Sequence, residues 1–250
     1  MKTKLILFLL LSATLEAQVM CDKSQLCPVS GGGGTPAYSQ ANTCPGSNGT
    51  STTFSANCAY SSNVTSGNEI AVYAYTGSAV PTSWTTPTKQ SGTATVGTFT
   101  LQGTCPTTAS TLHECLWTAP ITGTGSLTIH VSISYSVSTS SDIGGMVAEV
   151  NNVTQTVDTV SAYGSSNSCT SCVGSTLTTG GANRIVLTFV ANDVTTISSS
   201  SPFTAHTFAA DANGIFLAVG SFQQASAGLY SPTWTITGSG AQANVSVAIF

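Results

Sequence analysis

Three histidines, eight cysteines and a thin scatter of carboxylates are the residues of this chain whose types suit chemistry. Serine nucleophiles need a base, and only His113, His130 and His206 could supply one. No G-x-S-x-G turn accompanies them, although a triad is set by geometry rather than by order in the chain. The run "HEC" at 113 to 115 lacks the second histidine of a zinc-binding H-E-x-x-H, so it reads as a strand segment. The pair in "CTSC", Cys169 and Cys172, has no companion pair for a metal and no following helical pattern to lower a thiol pKa. It reads as a structural clip. Asp211, Asn213 and Gly214 have the opening of a calcium loop without its later ligands, and a hairpin turn is the better reading.

Glycoside hydrolysis would need two opposed carboxylates. Beyond the first 17 residues the chain offers Asp22, Glu69, Glu114, Asp142, Glu149, Asp158, Asp193 and Asp211. Glu149 stands out because it lies inside the apolar run "MVAEV", on the opposite side from Met146, Ala148 and Val150. Its reading is structural: it either faces solvent or pairs with Arg184, the only arginine. Binding is easier to support than catalysis. Trp84, in the proline-flanked "VPTSWTTPTK", is the candidate ligand-binding residue, read as a loop ring that either caps the sandwich end or offers a platform to polysaccharide. Trp117 and Trp234 lie in strand patterns and read as core.

The elements that must carry these residues are strands. In "LTIHVSISYSVSTS", residues 127 to 140, apolar residues alternate with His130 and serines, the period of a strand with one buried face. This places Ile129, Val131, Ile133 and Tyr135 in the core, and His130, Ser132, Ser134 and Ser136 toward solvent or a neighbour. Other strands are expected near 50–54, 69–75, 93–101, 113–117, 145–150, 174–178, 184–190, 204–209, 214–222, 233–237 and 243–249. Between them come turns such as "TGTG", "TGGAN", "DANG" and "TGSG", and no segment holds a helical stripe. The expected fold is all-β, a single two-sheet sandwich of jelly-roll type over residues 41–250. A tandem of two smaller sandwiches broken between Asn151 and Asn167 is the alternative.

Charged residues make up only 6% of the chain, with a formal charge of −4, which excludes the basic surface that nucleic acid requires. The opening "MKTKLILFLLLSATLEA" has the layout of a cleaved export signal, residues 1–17, too short to anchor in a bilayer. Residues 18–40, with four consecutive glycines, read as a flexible leader. The mature chain is then a secreted or cell-surface protein with no later membrane span. In that oxidising setting the eight cysteines read as four bridges. Their clustering predicts sequential pairing, Cys21–Cys27, Cys44–Cys58, Cys105–Cys115 and Cys169–Cys172, each closing a short loop.

Four segments, "SGNEIAVYAYTG" at 66–77, "GGMVAEVNNV" at 144–153, "ANRIVLTFVA" at 182–191 and "GLYSPTWTITGSGAQANVSVAIF" at 228–250, together resemble uncharacterised all-β modules of exported bacterial proteins and some phage structural proteins. The resemblance covers about residues 40 to 250 and excludes the cysteines. It implies a surface or binding module and carries no catalytic signature. The sequence therefore points to a non-enzymatic exported module without a cofactor. It would associate with a cell surface or an assembly partner, or bind polysaccharide; a glycan-active hydrolase is the weakest reading.

Overall fold

A computed structural model describes residues 34–77, 79–106, 112–193, 196–199 and 202–250. The first half of the chain supplies β1 (Ala37–Ala59), β2 (Glu69–Gly77), β3 (Ser83–Ser91), β4 (Thr95–Val96), β5 (Thr100–Leu101), β6 (Leu112–Gly123) and β7 (Thr128–Asn151). The second supplies β8 (Val157–Val160), β9 (Gly164–Val173), β10 (Leu177–Thr179), β11 (Arg184–Asn192), β12 (Thr196–Ser199), β13 (Thr204–Thr207), β14 (Phe216–Gln224), β15 (Gly228–Tyr230) and β16 (Thr233–Ile249). The protein is all-β, a sandwich of two curled antiparallel sheets. The strand order is β1-β7-β2-β6-β4 in one, with β3 on β7 and β5 on β6. In the other it is β12-β16-β11-β14-β13, with β8 and β9 on β16.

The two sheets repeat one plan. In the first, β1 runs antiparallel along β7 from Asn151 back to Thr128. In the second, β8 and then β9 run the same way along β16, from Ile249 back to Thr233. β2 and β11 each pair with the C-terminal part of the long last strand of their half and with one earlier strand, β6 or β14. β3 and β12 pair with the N-terminal part of that long strand. Nesting of β2 and β6 inside β1 and β7 is the way a long antiparallel ribbon rolls into a jelly roll. The chain thus changes sheets between Asn151 and Val157, inside the region where a tandem would divide. The halves are not separate sandwiches, because they share a core.

That shared core explains the unbroken apolar runs. Antiparallel sheets commonly leave one face wet, yet every residue of β2 is buried. Ile70, Val72 and Ala74 pack inside the first curled sheet with Phe54, Trp117, Ile129, Val131 and Ile133. Ala71, Tyr73 and Tyr75 face the other way, against Leu187, Phe189, Leu217, Val245 and Val247 of the second sheet. Tyr73 stacks on Phe189 with ring centroids 5.5 Å apart. The far face of β11 is covered too, by clusters around Trp234 and Phe203.

Curling is enforced within β1 itself. Cys44 and Cys58 are joined by a disulfide with Cα atoms 4.1 Å apart. Fourteen residues of straight strand would separate them by roughly 46 Å. The strand turns at Gly49, whose φ of +146° suits glycine, and Ser47 Oγ donates to the Ser55 carbonyl across the bend. On β7, residues 135–138 fall between the pairs Thr53–Ser134 and Ser51–Thr139, so the partner strand bends at the same level. The second bridge, Cys105–Cys115, ties the loop after β5 to β6. Cys172 is buried and disulfide-bonded. Cys21 and Cys27 lie outside the described residues, as does the side chain of Cys169.

Several boundaries differ from the sequence reading. β1 begins at Ala37, inside the stretch read as leader. The strands expected at 126–137 and 145–150 are one continuous β7, and those at 233–237 and 243–249 are one β16. The strand expected at 93–101 is two short pieces, β4 and β5, both paired with β6; between them Gly97 N–H donates to the Pro120 carbonyl of β6 at 2.8 Å.

The alternating face of β7 is placed as read: Ile129, Val131, Ile133 and Tyr135 are buried, whereas His130, Ser132 and Ser134 are half-buried and Ser136 is exposed. His130 Nδ1 bonds Asn57 Oδ1 at 2.9 Å on the neighbouring strand. Val131→Ala is expected to cost about 1–3 kcal/mol, and His130→Ala less than about 0.5 kcal/mol. Urea denaturation of both variants measures this; a larger loss for His130 would reverse the assignment of faces.

Candidate functional site

The first residue of β2 is a carboxylate entering a strand with no exposed position. Glu69 is 2% exposed and shares the inter-sheet side of its strand with Ala71 and Tyr73. It lies at the end of the shared core, where the two halves part to leave a cleft of about 440 Å³. The first half contributes Glu69, Thr100, Gln102, Thr118 and Pro120, and the second contributes β8, whose Asp158 and Thr159 line the opposite wall. Gln155, from the connection between halves, completes it with φ of +61°, and donates to the carbonyls of Asn68 and Ile121 at 3.0 and 3.2 Å.

Thr118 lies beside the Glu69 carboxyl, and its hydroxyl accepts from Gln102 Nε2 at 2.9 Å. Glu69 Oε2 is buried without a hydrogen-bond partner. Burial lifts the Glu69 pKa to about 7, against the opposing effect of the Thr118 hydrogen bond. The second carboxylate of the cleft is different. Asp158 forms an ion pair with Arg184 at 3.2 Å and accepts the Gly180 N–H at 2.8 Å. Arg184 lies over the Phe250 ring, 3.9 Å from its centroid. Asp158 is therefore engaged, and Glu69 has an oxygen to offer.

The residues singled out by sequence fall elsewhere. Trp84 is not in a loop: it lies in β3 opposite Ile133, packs on the inner core and tilts against Trp117 at 6.1 Å. Its ring is partly buried at the rim of the curled sheet. Glu149 does not pair with Arg184. It accepts from Gln40 Nε2 at 2.6 Å, Asn68 Nδ2 at 2.6 Å and the Thr65 N–H at 2.8 Å, fastening the turn before β2. Three donors satisfy its buried carboxyl in place of a cation.

Asp211 Oδ1 accepts from the N–H groups of Asn213 and Ile215 at 2.9 and 3.2 Å, which makes the 211–214 segment a side-chain-capped turn between β13 and β14. The histidines are dispersed over β6, β7 and β13. His113 is buried in β6, and His206 stacks on Tyr38 at 3.8 Å with Nε2 3.0 Å from Ser221 Oγ. Among the described residues no cluster of three or more His, Cys, Asp or Glu is placed to hold a metal.

Sequence reasoning named Glu69 only as one carboxylate among several. The signal that distinguishes it is its position: a charged residue opening a run buried on both faces must either be paired or stay neutral. The fold and cleft define a β-sandwich of two like halves with a polar site at their junction. No protein-family model, no curated protein and no solved structure matches the chain.

Proposed function

We propose that this chain is an exported, non-enzymatic surface module that binds a hydroxyl-rich saccharide in the cleft between its halves. One observation carries the reading: a concave site lined by threonine hydroxyls, glutamine amides and a recessed carboxyl, the donor and acceptor set that sugar hydroxyls match. Export is supported by the layout of residues 1–17 and is compatible with the disulfides Cys44–Cys58 and Cys105–Cys115. A binding role is favoured over hydrolysis because Asp158 is tied to Arg184 and Gly180 and is not free to act as a nucleophile or base opposite Glu69. Assembly by strand addition is disfavoured by β1, whose edge is folded on itself through Cys44–Cys58 and the bond from Asn42 Nδ2 to the Ala59 carbonyl.

A glycan array on the mature protein, with chromogenic glycosides assayed on the same sample, tests both parts. Retention of a glycan without release of chromophore is expected. Absence of retention across the array would remove the binding reading, and turnover lost in Glu69→Gln would replace it with a hydrolase.

A further inference from the structure

We infer that the cleft selects a sugar bearing a primary ammonium group, with Glu69 as the recognising anion. The inference rests on the saccharide-binding reading and narrows it to amino sugars.

The argument starts from the imbalance at Glu69. Its side chain lines the cleft beside Thr118, and its Oε2 is buried with no protein donor. Leaving a buried acceptor unsatisfied costs about 1–3 kcal/mol, more for a charged group, so a ligand donor placed there recovers what the empty protein forgoes. The two amide donors of the cleft are already committed. Gln102 Nε2 is spent on Thr118 and the Thr100 carbonyl, and Gln155 Nε2 on two backbone carbonyls. Among the described residues, the other charges in or at the cleft, Asp158 and Arg184, neutralise each other. The surroundings therefore supply no cation for Glu69.

An ammonium brings both missing quantities, a charge and several N–H donors, whereas a ring hydroxyl brings one donor and no charge. The ionisable groups near Glu69 are Asp158 with Arg184 in the cleft wall, and Tyr60, which senses Glu69, Glu149 and Tyr38. Burial raises the Tyr60 phenol well above its ordinary range, so it stays neutral, and Glu149 is satisfied by its three donors. Glu69 is then the group that answers to the ligand. Near pH 7 it is partly protonated, and a bound ammonium draws it to the ionised form, expelling a proton to solvent.

The test is titration calorimetry of the mature protein with three trisaccharides of one backbone: glucosamine, N-acetylglucosamine and glucose. At pH 6 and low salt, where the ligand amines are already ammonium ions and Glu69 is largely protonated, the glucosamine trimer is expected to bind at least tenfold tighter than the other two. Its binding heat is expected to change with the ionisation enthalpy of the buffer, which reports proton release. Glu69→Gln is expected to bring the glucosamine trimer to the affinity of the glucose trimer and to abolish the buffer dependence. Equal affinities for the three ligands in the native protein, or an amine preference that survives Glu69→Gln, would overturn the assignment while leaving saccharide binding intact. Failure of all three trimers, and of every glycan on the array, would overturn both. Proton release is read on the native chain, so the test does not depend on the variant folding.

Discussion

Phe189→Ala is expected to cost about 3–5 kcal/mol and to weaken both halves of the protein together. Phe189 is fully buried in β11, with its ring stacked on Tyr73 of β2, so truncation opens a cavity between the sheets. Within each half the strands are joined by ladders, but between halves the shared layer is held mainly by side chains. The expected result is one cooperative transition, displaced to lower denaturant, with coincident loss of tryptophan fluorescence and far-ultraviolet circular dichroism. Trp117 reports from the first half and Trp234 from the second. Two separated transitions would show that the halves fold independently and that the shared layer is dispensable.

Stability is expected to be greatest on the acid side and to fall as pH rises, opposite to most proteins held together by paired carboxylates. The resolved carboxyl shifts are all upward. Glu69 moves to about 7, Glu114 well above its ordinary value and Asp142 upward, in each case chiefly through burial. Glu114 supports this in its geometry. The Tyr73 hydroxyl contacts both Glu114 Oε2 at 2.9 Å and the Ala243 carbonyl at 3.2 Å, and one phenolic proton cannot serve both acceptors. A protonated Glu114 supplies the second proton.

For such groups the folded state retains protons that the unfolded chain has released. Their stabilisation is complete below the unfolded pKa of about 4.5 and is lost as pH climbs through the folded value. For Glu69 that window runs from about 4.5 to about 7, and the loss is on the order of 3 kcal/mol. His206 opposes this weakly. Burial lowers its pKa, so below the ordinary histidine value the unfolded chain takes up a proton that the folded one does not. Urea midpoints measured from pH 4.5 to 8.5 are expected to decline, with a shallower decline in Glu69→Gln and in Glu114→Gln. A midpoint that rises toward pH 8 would contradict the assignment of neutral buried acids.

What could be read from sequence followed from whether a segment obeys one local period. "LTIHVSIS" obeys the two-residue alternation, and its faces are placed accordingly. "EIAVYAYTG" and "RIVLTFVAN" break that alternation with mostly apolar interiors because both faces of β2 and β11 are covered. Segments that break local rules at sheet edges were illegible. β3 contains Pro87, which reads as a loop, but the strand pairs only with β7 and shifts register between Thr85 and Thr88, where a proline is tolerated. β1 contains "CPGSNG", a turn by composition, which the strand absorbs through a register shift between Cys44 and Ser47.

The cleft was illegible for a different reason. Its walls come from segments near residues 69, 100, 118 and 158, and only the two-sheet arrangement brings them together. The duplicated plan escaped as well. Asn68 precedes Glu69-Ile70 at the start of β2 and Asn183 precedes Arg184-Ile185 at the start of β11, but the halves share placement of apolar residues far more than identities.

The duplicated plan also sets an order of events for the emerging chain. Each curled sheet is contiguous in sequence, β1 to β7 and then β8 to β16, so its longest closure joins strands within its own half. Loop-closure entropy and contact order are correspondingly lower than if the sheets exchanged strands. The first sheet can therefore close once Asn151 is free, before most of the second has appeared. Until β11, β14 and β16 arrive, Ala71, Tyr73, Leu116, Met146 and Val150 remain uncovered, a broad apolar face on a half-made molecule. That interval is when the chain is most prone to self-association. The second half thus acts as an internal chaperone for the first, arriving late and masking the surface on which an unfinished copy would aggregate.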